Sequence, residues 1–149
     1  MKMKFATVLM TLAGLSLFAS LAQAETVLEL SGNDTMQFDK KSFEVPAGQE
    51  VKLVFTNKGN LPKAAMGHNV VILKPGSNVM AFGAGAATAA ATDYVPQSGP
   101  MAEQVVAATK LLGPGESDTI TFTLEAGTYE YICSFPGHYA LMKGVITAK

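Results

Sequence analysis

The chain has 149 residues, 48% of them hydrophobic and 15% charged, with twelve acidic side chains against eleven lysines and no arginine. A formal net charge of −1 carried by scattered lysines offers no cationic surface for a phosphate backbone, which excludes nucleic acid as a partner. The single cysteine excludes an internal disulfide.

Lys2 and Lys4 lead an apolar run from about Phe5 to Leu21, and Ala22-Gln23-Ala24 is a small-x-small cleavage site. This pattern predicts a secretory signal over residues 1–24, cleaved after Ala24, of the kind that exports bacterial proteins to the periplasm. The run is shorter than the roughly 18 to 20 residues of a bilayer-spanning helix, so no membrane insertion is expected after cleavage. Residues 25–149 suit one domain with a real core, and a second domain would not fit. They carry nine lysines against twelve carboxylates. In an oxidising compartment a free thiol such as Cys133 oxidises or cross-links unless it is buried or ligated.

Period-2 alternation dominates residues 25–149. Strands are predicted from Thr26 (TVLELSG), from Ser42 (SFEVPAG), over EVKLVFTN with Val51, Leu53 and Phe55 on one face, and from His68 (HNVVILK). Three more are predicted over SDTITFTL with Ile120, Phe122 and Leu124 on one face, from Thr128 (TYEYICSF) and from Lys143 (KGVITAK). Gly48, Gly59-Asn60, Pro75-Gly76, Gly113-Pro114-Gly115 and Gly127 punctuate them, so the fold class is all-β, an antiparallel sandwich or barrel. Residues 77–92, SNVMAFGAGAATAAAT, interrupt the pattern. Their alanines favour a short helical excursion that Gly83 and Gly85 weaken, and a flexible Gly/Ala-rich loop is the alternative.

The chemistry lies in CSFPGHYALM, residues 133–142. Alternation puts Tyr129, Tyr131 and Cys133 on one inward face at a strand end, and Phe135-Pro136-Gly137 then breaks the ladder. One loop thereby presents the sulfur of Cys133, the imidazole of His138 and the thioether of Met142. His68 opens another predicted strand, and inward faces of a sandwich can converge at one end. Two imidazoles, a thiolate and a weak thioether form the donor set of a blue-copper centre, whereas zinc would take four comparable tetrahedral ligands and has little use for methionine. Two competing functions are open to the same residues. One is an enzyme with Cys133 as nucleophile and a histidine base, for which only Asn69 could serve as orienting group. The other is copper storage or delivery, which favours exposed Met and His clusters; here the methionines after residue 24 are dispersed.

The C-x4-H-x3-M spacing from Cys133 through His138 to Met142, with GNDTMQF at Gly32, GNLPKAAMGHN at Gly59 and TKLLGPGE at Thr109, resembles the azurin branch of the cupredoxin family of blue-copper proteins. The resemblance implies an eight-stranded Greek-key cupredoxin sandwich over residues 25–149 with one type 1 copper ion, Cu(I)/Cu(II), near one pole. It makes His68, Cys133 and His138 the trigonal ligands, Met142 a long axial ligand and the Gly67 carbonyl a distant contact opposite. Asn69 resembles the asparagine that ties the two ligand-bearing segments together, and backbone N–H groups near Phe135 would bond the sulfur. The family further implies a monomeric one-electron carrier, with a c-type cytochrome and a periplasmic reductase or oxidase as partners. They would dock on an apolar patch of Met36, Leu61, Met66, Phe135, Pro136, Ala140 and Leu141 around the edge of His138. The chain departs from that family in four respects. Thr26 and the Gly48 region stand where a disulfide worth roughly 2 to 4 kcal/mol would be. Val70 replaces a core indole, no third histidine is present, and Tyr139 occupies the place of a small residue, where it is expected to enlarge or partly cover the patch.

Overall fold

The structure, a computed structural model, describes residues 24–149. The expected export signal lies outside the described residues, save for Ala24. In chain order, β1 (Thr26–Asn33), β2 (Gln37–Phe38), β4 (Glu50–Asn57) and β7 (Ser117–Thr123) form one sheet, ordered β2-β1-β4-β7. The strands β3 (Ser42–Val45), β5 (Val71–Leu73), β6 (Val105–Ala108), β8 (Gly127–Ile132) and β9 (Lys143–Ala148) form the other, ordered β3-β9-β8-β5-β6. The pairs β1/β4 and β3/β9 are parallel, and the remaining ladders are antiparallel.

The expected all-β sandwich is therefore present. Its nine strand segments reduce to eight strands once β2 and β3 are taken together, because the chain crosses from one sheet to the other between Phe38 and Ser42. Side chains that alternate along β4 and β8 fill the space between the sheets. Val51, Leu53 and Phe55 meet Tyr129, Tyr131 and Cys133 there, and all are buried. At about 1.5 to 3 kcal/mol for each large apolar side chain buried, this face outweighs any local preference of the strands.

Three strands escape the alternation rule, β5 because all three of its residues are buried between the two cores. β2 is only two residues long, and all four residues of β6 are half-buried, so neither carries a period-2 signal. The strand expected from His68 begins only at Val71. His68 instead makes an isolated antiparallel bridge with Leu112, and the Val70 N–H donates to the Thr109 Oγ1 at 2.9 Å, so side-chain bonding displaces the ladder there.

The excursion at 77–92 is helical. After the turn-like helix α1 (Lys63–Met66), helix α2 (Val79–Ala86) starts at Asn78, whose side chain accepts the Ala81 N–H at 3.0 Å as an N-cap. A 3-10 turn at Ala90–Thr92 and helix α3 (Gly99–Ala102) come next. Val79, Phe82 and Ala86 of α2 pack on the outer face of the second sheet against Val71, Leu73 and Ile132. A second core forms there, which is why Ile132 is buried although it points away from Tyr131 and Cys133. Where the family's disulfide would stand, backbone bonds from Gly48 to Leu124 (2.8 Å) and from Ala47 to Lys149 (3.1 Å) hold the chain.

Candidate metal centre

The loop between β8 and β9 is closed at its mouth by the Cys133 N–H donating to the Met142 carbonyl at 2.9 Å. Inside the loop Gly137 takes φ 82°, a left-handed conformation that suits glycine, and the chain then winds into a 3-10 turn over His138–Ala140. The Leu141 and Met142 N–H groups both donate to the His138 carbonyl, at 3.0 and 2.8 Å. Three donors are thereby carried on one short closed segment.

His68 reaches the same point from the other ligand-bearing segment. His68 Nδ1 lies 3.9 Å and His138 Nδ1 lies 3.6 Å from the Cys133 Sγ, and the two rings are 5.0 Å apart between centroids. The three donor atoms fall within 4.8 Å of one another, and all three residues are buried. Met142 is fully buried, and its methyl group packs over Gly32 beside the His68 ring, where a Cβ on Gly32 would lie 2.5 Å from Met142 Cε and 3.5 Å from His68 Cδ2. Gly67 is buried too. A Cβ there would meet the Lys63 carbonyl at 2.7 Å and Leu111 at 3.0 Å, so only glycine fits between α1 and Leu111.

Asn69 joins the two segments. Its Oδ1 accepts the Ser134 N–H at 2.9 Å, while its Nδ2 donates to the Asp93 carbonyl and the Ser134 Oγ, each at 2.9 Å. Ser134 Oγ has one hydrogen and gives it to the Tyr94 carbonyl at 2.7 Å, which leaves its lone pairs for Asn69. Asp93 and Tyr94 both adopt positive φ, 58° and 60°, turning their carbonyls towards this clasp. That strained pair is a positioning feature with no periodicity or motif to reveal it in the sequence.

Burial holds all three donors in their neutral forms. Burial pushes the Cys133 thiol up to about 12, against the lowering effect of N–H groups from Asn69 and Phe135 directed at the sulfur. Burial likewise lowers His138 to about 4, helped by the neighbouring His68, and lowers His68 despite the Asn33 carbonyl and the Asp34 charge. A neutral thiol and two neutral imidazoles are what such a dry pocket favours without a metal, and a bound cation displaces the thiol proton. His68 Nε2 is buried with no hydrogen-bond partner, and the Asn33 backbone favours the protonated ring. With Nε2 protonated, Nδ1 is the free donor facing the sulfur. This donor set fits copper: soft sulfur, two nitrogens and a thioether within reach, with no carboxylate among them.

The histidine shifts carry a sign. Between about pH 6.5 and pH 4 the unfolded chain binds protons that folded His138 refuses, so the metal-free protein loses stability as pH falls through that window. Denaturant titrations of metal-free protein at pH 7 and pH 4 are expected to differ by roughly 2 to 3 kcal/mol in that direction. Equal or greater stability at pH 4 contradicts the neutral pocket.

The anticipated patch residues divide. Leu61 and Leu141 are among the exposed large hydrophobic side chains, at 45% and 58%, and Pro136 and Ala140 are exposed beside them. Met36 and Met66 are half-buried. Phe135 departs from the expectation: at 8% exposure it belongs to the core, its ring 4.6 Å from His138 and 5.2 Å from Tyr94 between centroids. Its aromatic area is satisfied inside the fold, so it supports the His138 ring from below. Asp34 fixes the rim by accepting the Asn60 N–H at 2.7 Å, which sets the loop that presents Leu61. His138 keeps 3% of its surface, and its Nδ1 faces the sulfur.

Comparison with known proteins agrees with this geometry. The family described as copper binding proteins, plastocyanin/azurin family, matches residues 24–149. Azurin-1 of Alcaligenes xylosoxydans xylosoxydans is 41% identical over 128 residues, covering 83% of this chain and 97% of that protein. The dithionite-reduced auracyanin of the photosynthetic bacterium Roseiflexus castenholzii superposes with a TM-score of 0.72 at 40% identity, over 85% of this chain and 99% of its own. The azurin Az-iso2 of Methylomonas sp. strain J gives 0.75 at 32% identity over the same shares.

Proposed function

Because the chain belongs to the plastocyanin/azurin family of copper-binding proteins, we propose that His68, Cys133 and His138 would hold its copper most strongly, with Met142 and the Gly67 carbonyl as further, weaker contacts. The protein is a small blue-copper electron carrier. The observation that carries the ligand assignment is the convergence of three buried donor atoms within 4.8 Å from segments that one asparagine ties together. When bound, the copper supplies a one-electron change between Cu(I) and Cu(II).

The residues' part is to stay still while that happens. The Asn69–Ser134 clasp fixes the spacing of His68 from the loop, the Cys133–Met142 bond fixes the loop's mouth, and Phe135 supports the His138 ring. A packed interior resists rearrangement, so both oxidation states meet one geometry and little reorganisation opposes transfer. His138 is taken as the exit, a reading supported by the exposure of Pro136, Ala140 and Leu141 on its own loop and of Leu61. The partners are redox proteins of small, short-lived contact, roughly under 1,200 Å² in all. A c-type cytochrome and a periplasmic reductase or oxidase are the expected kinds. Residues 1–24 serve as the export signal to the periplasm, and residues 25–149 act as one monomeric copper-binding domain. A thiol that is fully buried and held at about 12 is poorly suited to nucleophilic attack, which favours a carrier over an enzyme.

His138→Gly is expected to keep the fold, to alter the intense visible thiolate-to-copper absorption, and to recover it when free imidazole is supplied. A spectrum indistinguishable from wild type without imidazole removes His138 from the ligand set.

A further inference from the structure

The sequence leads one to expect Tyr139 to enlarge or partly cover the apolar patch; its half-buried ring packs against helix α2, alongside the second core beneath that helix. The receiving residue is Gly83. A Cβ built there would collide with Tyr139 Cγ and Cδ1 and stand 2.5 Å from Cδ2, so the root of the ring fills the place where any other residue would have a side chain.

Glycine inside a helix is unfavourable by about 1 kcal/mol against alanine, and the backbone at Gly83 has an ordinary helical conformation that does not call for it. Room for the ring is what remains to account for it. Gly85 repeats the device on another side of the helix, where a Cβ would lie 2.6 Å from Met101 Sδ, so α2 is seated by one large side chain on each side. Of the loop from Ser134 to Leu141, only Tyr139 enters the second core. It sits between two of the proposed ligands, on the 3-10 turn whose His138 carbonyl holds the Leu141 and Met142 N–H groups.

We propose that Tyr139 is a positioning residue that latches the ligand loop to helix α2 through Gly83, so that the helix stiffens the His138–Met142 segment. This rests on the ligand assignment above only for its spectroscopic consequence; the latch itself is a property of the metal-free chain. The closing contact is apolar, so Tyr139→Phe keeps it and Tyr139→Ala removes it. Gly83→Ala, which improves helix propensity, forces the ring out.

Native-state hydrogen exchange on the metal-free protein is the first readout. Tyr139→Ala and Gly83→Ala are each expected to raise exchange of the Leu141 and Met142 amides about tenfold, the scale of a lost contact between touching residues, with β4 and β7 unchanged. Tyr139→Phe is expected to match wild type, and the double variant Tyr139→Ala/Gly83→Ala to be no worse than Tyr139→Ala alone. Copper-loaded Tyr139→Ala is then expected to show a shifted thiolate band and faster copper loss to a chelator. Wild-type protection of Leu141 and Met142 in both single variants overturns the latch. So does an equal rise in exchange across the whole molecule, which signals lost global stability. Wild-type protein that takes up copper without colour leaves the exchange test intact and counts against the ligand assignment instead.

Discussion

Replacing Cys133 by serine is expected to abolish the intense visible band outright and to strip copper of most of its stabilising effect. The hydroxyl of serine does not ionise at neutral pH, and the pocket, which already opposes charge on sulfur, offers it no cationic side chain. In wild type, copper at about a thousandfold excess over its dissociation constant adds roughly 4 kcal/mol to the folded state by mass action. For a domain of this size that is a rise in melting temperature on the order of 10 to 20 °C. The serine variant is expected to retain under about 1 kcal/mol of it, while its metal-free form is expected to melt close to the wild-type metal-free protein because the N–H groups of Asn69 and Phe135 and the histidine Nδ1 atoms can pair the buried hydroxyl. Paired thermal scans with and without copper(II) measure both quantities. A serine variant that stays blue, or whose copper-induced shift equals that of wild type, excludes Cys133 as the ligand.

Asn69→Leu is expected to be the most damaging change outside the donors. It leaves the Ser134 N–H and the Asp93 carbonyl without partners in a dry interior, and it crowds a larger side chain into a fully buried position. Each orphaned group costs about 1 to 3 kcal/mol, so a loss of roughly 3 to 5 kcal/mol is expected by denaturant titration of the metal-free protein. The left-handed Asp93–Tyr94 pair, held by the same clasp, then relaxes. Copper affinity is expected to fall by about 10- to 100-fold, as for other groups that orient ligands. Asn69→Asp separates the two halves of the clasp: it retains the acceptor for Ser134 and turns an oxygen on the Asp93 carbonyl, so it is expected to be damaging as well. A leucine variant as stable as wild type means that the clasp is incidental.

The chemistry of this site was legible in the sequence because its donors are scarce. One cysteine and two histidines leave few ways to assemble a soft, nitrogen-rich set, and the C-x4-H-x3-M spacing confines most of it to one loop. The inward faces of β4, β7 and β8 were legible for a different reason, since alternate burial leaves a period in the residues themselves. Features that rest on side chains reaching backbone groups left no such trace. His68 looks like the first residue of a strand, yet its own backbone pairs with Leu112 in an isolated bridge and the Val70 N–H goes to the Thr109 side chain. Phe135 has the composition of a surface anchor and is instead half of an internal stack. Tyr139 has the chain position of a residue that faces a docking partner, and only the spatial neighbour Gly83 reveals where its ring goes. β6, half-buried throughout, carries no period of either kind.

The clasp between Asn69 and Ser134 joins positions 65 residues apart, and the sulfur is as distant along the chain from His68. A polypeptide made and threaded from its amino end therefore exposes one imidazole long before the remaining donors exist. Such long-range closure belongs to the slow, late part of folding. The ion then has to be captured by a finished scaffold, and a product ending before the last hairpin would lack the strand that pairs with β3 and would keep only the imidazole of His68 from the four proposed side-chain donors.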